Sequence, residues 1–219
     1  METFVVRVWL PDRPGALGAV ASRIGAVRGD VVGIEILERG AGRAIDELAV
    51  QLPDASLVSL LIAEISQVDG VDVEDVRPAS HGIGDPRLDA LETAALLVAA
   101  TTPADVMTQL VAHAARDFDT DWCVMLDHKA SAIVGSSGAS PTADWLSAFV
   151  SGARSAASPT DAGPDDVAWA ELPTAELALV LGRKDRPFRA RERRQLAALV
   201  AIAAQRWTDL DDRDTALMG

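Results

Sequence analysis

The chain has 219 residues, an apolar fraction of 49% and a formal net charge of −13, from 33 acidic and 20 basic side chains. This charge argues against non-specific binding to nucleic acid or to an anionic membrane, and the length fits one large domain or two small ones. The one cysteine, Cys123, excludes an intrachain disulfide framework and fits a reducing compartment. With no signal-peptide pattern and no apolar run long enough to cross a bilayer, we expect a soluble, cytoplasmic protein.

The first half is organised around the end of a strand and the turn that follows it. Residues 4–10 are rich in β-branched and aromatic side chains and predict a strand, which Pro11 stops because proline lacks a ladder N–H. Pro14 suits the first position of a helix, and Gly15 lets a ligand or another backbone come close. The free N–H groups of such a helix start attract a carboxylate or a phosphate. The same residues also fit an ordinary strand-to-helix turn.

Five further elements follow this turn in the first half. Apolar spacing predicts two helices, at 17–27 and 57–68, and alternation predicts three strands, at 31–37, 45–52 and 71–76. The order βαββαβ gives an antiparallel sheet with both helices on one face. The other face, around Trp9, is expected to be apolar and to need a cover from a partner subunit or from the second half.

The strand order and the run Asp12-Arg13-Pro14-Gly15-Ala16-Leu17 resemble an ACT domain, a ferredoxin-like amino-acid-sensing module, over about residues 3–78. The resemblance implies that two copies pair and that an effector amino acid binds between them. It also implies binding positions in the loop after the first strand and at the start of the second strand. Here these are Pro11, Asp12, Arg13, Pro14, Gly15, Ala16, Leu17, Asp30, Val31 and Val32. Family members often carry Asn where this chain has Asp30.

The chemistry of these residues points the same way. Amides near Gly15 suit an α-carboxylate, whereas Asp12 or Asp30 suits an α-ammonium group. Val31 and Val32 suit an aliphatic side chain, so we expect a small or branched apolar amino acid. Asp12 fits equally well as a solvated loop charge or a helix cap, and Asp30 as the residue that begins a strand.

A change in composition marks the domain boundary. Proline, glycine and small polar residues at 77–86 predict a first domain at 1–79, a linker at 80–87 and a second domain at 88–219 that ends in an acidic tail. His81 lies in the linker, where we expect it to be solvated.

The second half is predicted to be an α+β sandwich with helices on an antiparallel sheet. Its second helix begins at Thr102, where a cap, a first-turn proline and a first-turn acid coincide. Loops are expected at 135–138 and 155–166. The predicted helices are 88–98, 102–114, 142–154 and 190–207, and the predicted strands are 122–127, 130–134, 167–172 and 175–181.

This half resembles a GAF domain over about residues 86–207. The resemblance depends on Ala178-Leu179-Val180-Leu181-Gly182-Arg183, Pro187-Phe188, Glu192 and Leu196. GAF domains bind cyclic nucleotides, tetrapyrroles, haem or small metabolites, or simply dimerise. No ligand position carries over, because the middle of the domain lacks a nucleotide signature, and we expect no cofactor.

Other chemistry-bearing residues favour structural interpretations. The histidines and Cys123 show no metal-ligand spacing, and Cys123 is expected to be a small core residue. Asp127 and His128 are adjacent on a turn, so they are not expected to act as an acid–base pair. The basic run 183–194 holds seven Lys or Arg side chains. We interpret it as the solvated face of the last helix rather than as a phosphate or nucleic-acid site.

We therefore expect a non-enzymatic regulatory protein in which an ACT domain binds a small amino acid and a GAF-like domain relays the signal. We expect a homodimer, an unidentified protein partner as the output, and no membrane or nucleic-acid partner. The alternative is a structural dimerisation or scaffold protein without a small-molecule ligand.

Overall fold

The structure, a computed structural model, describes residues 1–79, 85–155 and 164–218. The chain divides into two compact units, Met1–Asp85 with Arg189–Arg191 and Pro86–Phe188 with Glu192–Gly219. Each unit holds a four-stranded antiparallel sheet and helices, so the predicted α+β class is confirmed. His81 lies outside the described residues. No helix in the described ranges is both long and apolar enough to cross a membrane.

The first unit has the predicted βαββαβ order. Its sheet order is β2-β3-β1-β4, the ferredoxin-like arrangement. A short 3-10 turn precedes α2, and the Asp54 side chain accepts a hydrogen bond from the Ser56 amide there. The elements are β1 (Glu2–Pro11), α1 (Ala16–Ala26), β2 (Asp30–Gly40), β3 (Arg43–Leu52), α2 (Val58–Ile65) and β4 (Asp72–Pro78).

One face of this sheet forms the core with both helices. Alternate residues of β1 and β3 point to that face because neighbouring side chains of a strand lie on opposite sides. Each aliphatic side chain buried in this way contributes about 1.5–3 kcal/mol. The fully buried members of the cluster are Val6, Val8, Val20, Ile24, Leu48, Val50, Leu52, Leu61 and Ile65.

The opposite face mixes charged and apolar side chains, which corrects in part the expectation of an apolar surface around Trp9, because Ile45, opposite Trp9, is 2% exposed. Arg7 is only 1% exposed at its side chain and pairs with Glu47 at 2.8 Å. Arg77 joins the same carboxylate at 3.0 Å. The half-buried Trp9 donates its ring N–H to Glu74 at 2.8 Å. Alternation along β1 placed Arg7 and Trp9 on this face, but it did not indicate that Arg7 pairs with Glu47 or that Trp9 bonds to Glu74.

The second unit is a three-layer arrangement. Its sheet order is β6-β5-β8-β7, and all neighbouring strands are antiparallel. Cys123 and Met125 of β5 face a core with α3, α4 and α6, whereas Val124 and Leu126 face α5. The elements are α3 (Pro86–Ala99), α4 (Pro103–Asp117), β5 (Trp122–Asp127), β6 (Ala132–Gly138), α5 (Ala143–Arg154), β7 (Val167–Leu172), β8 (Leu177–Gly182) and α6 (Ala190–Met218).

The helix start at Thr102 is confirmed in detail. The Thr102 hydroxyl accepts from the Asp105 amide at 3.1 Å, and the Asp105 carboxylate accepts from the Thr102 amide at 3.0 Å. This reciprocal capping box satisfies two of the amides that a helix start leaves without partners.

Two predicted boundaries in this unit are wrong. The predicted loop at 135–138 belongs to β6, because Ser136 and Ser137 pair with Val124 and Cys123 of β5. Strand pairing overrides the weak strand propensity of glycine and serine. The predicted acidic tail is helical through Met218, and Leu210 is only 5% exposed within that helix.

Candidate functional site

The β1–α1 loop is the first candidate site. Gly15 has a φ of 88°, and the helix begins after it, at Ala16, with no side-chain cap. The Asp12 amide donates to the Gly42 carbonyl at 2.9 Å, which ties the loop to the β2–β3 hairpin. The prediction that Pro14 occupies the first helical position is wrong, because the left-handed backbone at Gly15 interrupts the helical path.

The surface above this loop is open. A Cβ atom built on Gly15 or on Gly18 meets no other atom within 4 Å. Asp12 and Arg13 are exposed, whereas Ala16 is buried and Leu17 is half-buried. Among the described residues, none donates a hydrogen bond to the Asp12 carboxylate. A ligand can therefore reach the turn at Gly15 and the exposed Asp12 carboxylate.

The other predicted positions lie at the opposite end of the sheet. Pro11 is opposite Arg43, whereas Asp30 is opposite Gln51, which lies 51 − 43 = 8 positions farther along β3. At roughly 3.4 Å per residue this separation is about 27 Å. Asp30 is exposed, and Val31 and Val32 are half-buried. One copy of the chain does not bring Asp30 to the loop, so only Asp30 of a second copy fits a shared site with Asp12.

Asp46, in β3, was not identified from the sequence. It is opposite Val8 of β1 and Ile36 of β2, which places its side chain on the face that α1 covers. It is 3% exposed, and its Oδ1 atom is buried without a hydrogen-bond partner. Burial raises the pKa of the Asp46 carboxyl; Arg39 opposes this effect, and Asp12 adds to it. Its position in the run Ala44-Ile45-Asp46-Glu47-Leu48 was a signal, because Asp46 falls on the apolar phase of the alternation.

The Arg7–Glu47–Arg77 group differs because its charges are paired. Burial raises the pKa of Glu47, but Arg77 and Arg7 outweigh it and hold that pKa below its ordinary value of 4.5. Arg77 also pairs with Asp75 at 2.8 Å. This group links β1, β3 and β4 and has the character of a structural element.

The basic run 183–194 contains a buried residue, Arg183, which corrects its interpretation as a solvated face. Arg183 is 2% exposed and pairs with Glu192 at 2.6 Å. Its guanidinium also donates to the carbonyls of Phe118 at 3.0 Å and Pro187 at 2.9 Å. It lies 4.0 Å from the centre of the Phe188 ring. The residues that carry the GAF resemblance at this end therefore build a packed ion-pair cluster.

Cys123, Asp127 and His128 all lie in the described ranges 1–79, 85–155 and 164–218. Cys123 is buried, as predicted, and burial raises the pKa of its thiol to about 12. Asp127 accepts from the amides of Lys129 and Ala130, whereas His128 contacts Arg154, so the two neighbours do not pair. No three His, Cys, Asp or Glu side chains converge as metal ligands there.

The second unit also contains an open cavity of about 510 Å³ between β7 and α6. Alanines of α6 form one wall, and Trp169 and Glu171 of β7 form the other. Glu171 is already paired with Arg154.

Comparison with known proteins gives only weak similarities. No protein-family model matches the sequence, and no curated protein matches it. Among solved structures, an unknown protein from Galdieria sulphuraria is 18% identical, with a TM-score of 0.32, over 45% of this chain and 63% of that one. A formyltetrahydrofolate deformylase from Pseudomonas putida is 17% identical, with a TM-score of 0.31, over 41% of this chain and 36% of that one.

A third similar structure is the C-terminal domain of the MgtC protein from Mycobacterium tuberculosis. It is 16% identical, with a TM-score of 0.30, over 39% of this chain and 95% of that domain. The chain spans less than two thirds of the first two structures. Similarities of this strength do not bear on function.

Proposed function

We propose that the chain is a non-enzymatic regulatory protein whose first unit is an ACT domain that binds a free amino acid. The observation that carries this proposal is the open turn at Gly15, which leaves the first-turn amides of α1 without a side-chain cap. These amides and the positive end of the helix dipole favour an α-carboxylate. The exposed Asp12 supplies a negative charge for the α-ammonium group.

The second part of the proposal concerns assembly. Because Asp30 is about 27 Å along the sheet from the loop in one copy, we propose that Asp30, Val31 and Val32 of a second copy close the site. β2 is an edge strand, and its Ile34 and Ile36 are 48% and 37% exposed. We expect light scattering at tens of micromolar to give a homodimer. A monomer with and without amino acids contradicts this assembly.

We further propose that the second unit is a GAF-like domain that relays the bound state to a protein partner. A structural dimerisation protein without a ligand is the second candidate. It is favoured by the apolar surface of α3, where Leu88, Leu91 and Val98 are 52%, 67% and 58% exposed. The two candidates differ in whether a small molecule stabilises the folded protein.

The test is a thermal-melting screen of the intact chain against the twenty amino acids and cyclic nucleotides. A ligand at 100 times its Kd stabilises the folded state by about 2.7 kcal/mol, which raises the melting temperature measurably. We expect a small or branched apolar amino acid to give the largest rise. No rise with any amino acid at millimolar concentration contradicts the sensing function and favours the structural one.

Two variants at Gly15 test whether the rise in melting temperature depends on binding at the β1–α1 loop. Gly15→Leu adds bulk where the ligand backbone approaches, and it strains the backbone because Gly15 has a positive φ. Gly15→Ala carries the same strain with little bulk, so it is the matched control. We expect the ligand-induced rise to survive in the alanine variant and to be lost in the leucine variant.

A further inference from the structure

We propose that Asp46 receives the ammonium group of the bound amino acid, while the first-turn amides of α1 receive its carboxylate. This inference rests on the proposed function and adds to the site a residue that neither the sequence motif nor the family resemblance includes. It differs from the expectation for Asp30 because Asp46 belongs to the same copy as the loop.

The register of β3 shows where the Asp46 side chain lies. Asp46 is opposite Val8, which is fully buried, and is therefore on the same face of the sheet as α1. Ala44, two residues earlier on that face, packs in the same core cluster as Ala16, the first residue of α1. Asp46 therefore lies on the side of the sheet where α1 begins, near the end at which the loop and the hairpin meet.

The Asp46 carboxylate has a buried oxygen atom, Oδ1, that lacks a hydrogen-bond partner. A buried carboxylate oxygen without a donor is unfavourable, and such groups in native proteins have a specific cause. None of the described residues donates a hydrogen bond to Asp46, although its Oδ1 atom is buried. A ligand ammonium group supplies three N–H donors and a positive charge, which are what this carboxylate lacks.

Two charged side chains, Asp12 and Arg39, affect the ionisation of Asp46. Asp12 is close enough to affect the ionisation of Asp46, so two carboxyl groups act on the same small region. Arg39 is a cation that lowers the pKa of Asp46. Within the described ranges no third side chain completes a metal-ligand group, which favours an ammonium ion over a metal.

The surface beside Asp46 fits the rest of the ligand. Ile36, opposite Asp46 on β2, is 37% exposed, whereas Val8, opposite Asp46 on β1, is fully buried. Approach to Asp46 is therefore from the β2 side. Ile36 and the neighbouring Ile34 present apolar surface there, which suits an aliphatic side chain.

The test uses three probes that separate the two ends of the ligand. L-valine carries both charged groups, isobutylamine carries only the ammonium group, and isovalerate carries only the carboxylate. Each is titrated by calorimetry at pH 7 into the intact native chain, into Asp46→Asn and into Asp72→Asn. The Asp72 change removes one negative charge from the same end of the sheet, at a side chain that is 70% exposed, so it controls for long-range charge effects.

We expect Asp46→Asn to weaken L-valine and isobutylamine about 10- to 100-fold, since hydrogen bonds to charged groups are worth this much. We expect isovalerate to bind the native chain and the Asp46 variant within about twofold of each other, and Asp72→Asn to resemble the native chain, because charges exposed to water interact weakly.

An independent measurement on the native chain needs no variant. The titration of the Asp46 carboxyl, followed by carbon-13 NMR, should move to lower pH when L-valine is present, because an adjacent cation favours the ionised form. An unchanged midpoint at saturating L-valine overturns the proposal, even if the asparagine variant fails to fold.

The outcomes separate this inference from the proposed function. Unchanged L-valine binding in Asp46→Asn overturns the role of Asp46 and leaves the amino-acid function intact. A third outcome is that isobutylamine binds the native chain, L-valine does not, and isobutylamine no longer binds Asp46→Asn. This outcome supports a cation site at Asp46 and contradicts the amino-acid function. Failure of all three probes to bind the native chain overturns the role of Asp46, whereas the amino-acid function is overturned only when none of the twenty amino acids binds.

Discussion

Arg183 of the second unit and Asp46 of the first are both buried charged residues, and their hydrogen bonding differs. In the second unit Arg183 is 2% exposed and is held by Glu192 and by backbone carbonyls. In the first unit Asp46 is 3% exposed, and no described residue donates to it. Burial costs free energy in both cases, but only Arg183 has partners that offset the cost. We interpret Arg183 as a structural residue, and we propose that a ligand supplies the hydrogen-bond donor that Asp46 lacks.

The largest expected effect is the loss of Arg183. Arg183→Met keeps most of the side-chain length but removes the guanidinium that pairs with Glu192, whose side chain is 12% exposed. Removing one partner of a buried pair costs about 3–5 kcal/mol of unfolding free energy. Denaturant unfolding with circular dichroism measures the loss.

The matched control for this change is an exposed pair in the same unit. Lys129 pairs with Glu176 at 3.1 Å, with the two side chains 74% and 57% exposed. Lys129→Met should change the unfolding free energy by only about 0–1 kcal/mol. Equal losses in the two variants would refute the structural role of Arg183.

Glu47 gives the next largest effect and a pH signature. Glu47→Gln weakens two charged hydrogen bonds, to Arg7 and Arg77, and we expect a loss of about 1.5–3 kcal/mol at pH 7. The native pKa of Glu47 lies below 4.5. Its contribution to stability is therefore complete above pH 4.5 and is lost as the pH falls through the lowered native pKa.

The check is unfolding by denaturant at several pH values in the native chain and in Glu47→Gln. The difference between the two should shrink as the pH falls below 4.5, because the carboxylate takes up a proton first in the unfolded state and only at lower pH in the native state. A difference that stays constant down to pH 2 (roughly below the ordinary range of a carboxyl) would show that Glu47 acts through packing alone.

The change Asp46→Asn is expected to have the smallest effect on stability, and it should stabilise the protein rather than destabilise it. Because the native pKa of Asp46 is raised above 3.8, the folded state binds its proton more tightly than the unfolded state does. Its penalty is absent below pH 3.8 and grows as the pH rises through the native pKa. We expect Asp46→Asn to raise the unfolding free energy at pH 7 by roughly 1 kcal/mol.

The same pH series measures this effect. The gain in Asp46→Asn should disappear at low pH, where the native carboxyl is also neutral. A loss of stability at pH 7 in the asparagine variant would mean that Asp46 already has stabilising partners, and the contrast with Arg183 would fail.

Patterns local in sequence predicted most of the fold. Alternation and helical spacing gave the βαββαβ order, and the Thr102–Asp105 capping box was recognisable because both of its members lie within one turn. The errors came from non-local interactions. Residues 135–138 are a strand because β5 pairs with them, and α6 continues past residue 207 because Leu210 finds a core.

The candidate site was only partly predictable. The Asp12–Leu17 loop lies within one short motif, so its place after β1 and before α1 follows from the sequence. Asp46 falls on the apolar phase of the alternation, but its place beside Val8 and Ile36 depends on the strand register, which no local pattern specifies. The burial of Arg183 depends on Phe118 and Glu192, and the spacing of basic residues along the chain does not show it.

The central claim is that the first unit binds a free amino acid at the turn around Gly15. The most direct measurement is a calorimetric titration of the intact native chain at pH 7 with the amino acid that raises the melting temperature most. We predict saturable binding with one amino acid per chain, retained in Gly15→Ala and lost in Gly15→Leu. Binding of equal affinity in all three proteins, or no binding of any of the twenty amino acids at millimolar concentration, would contradict this claim.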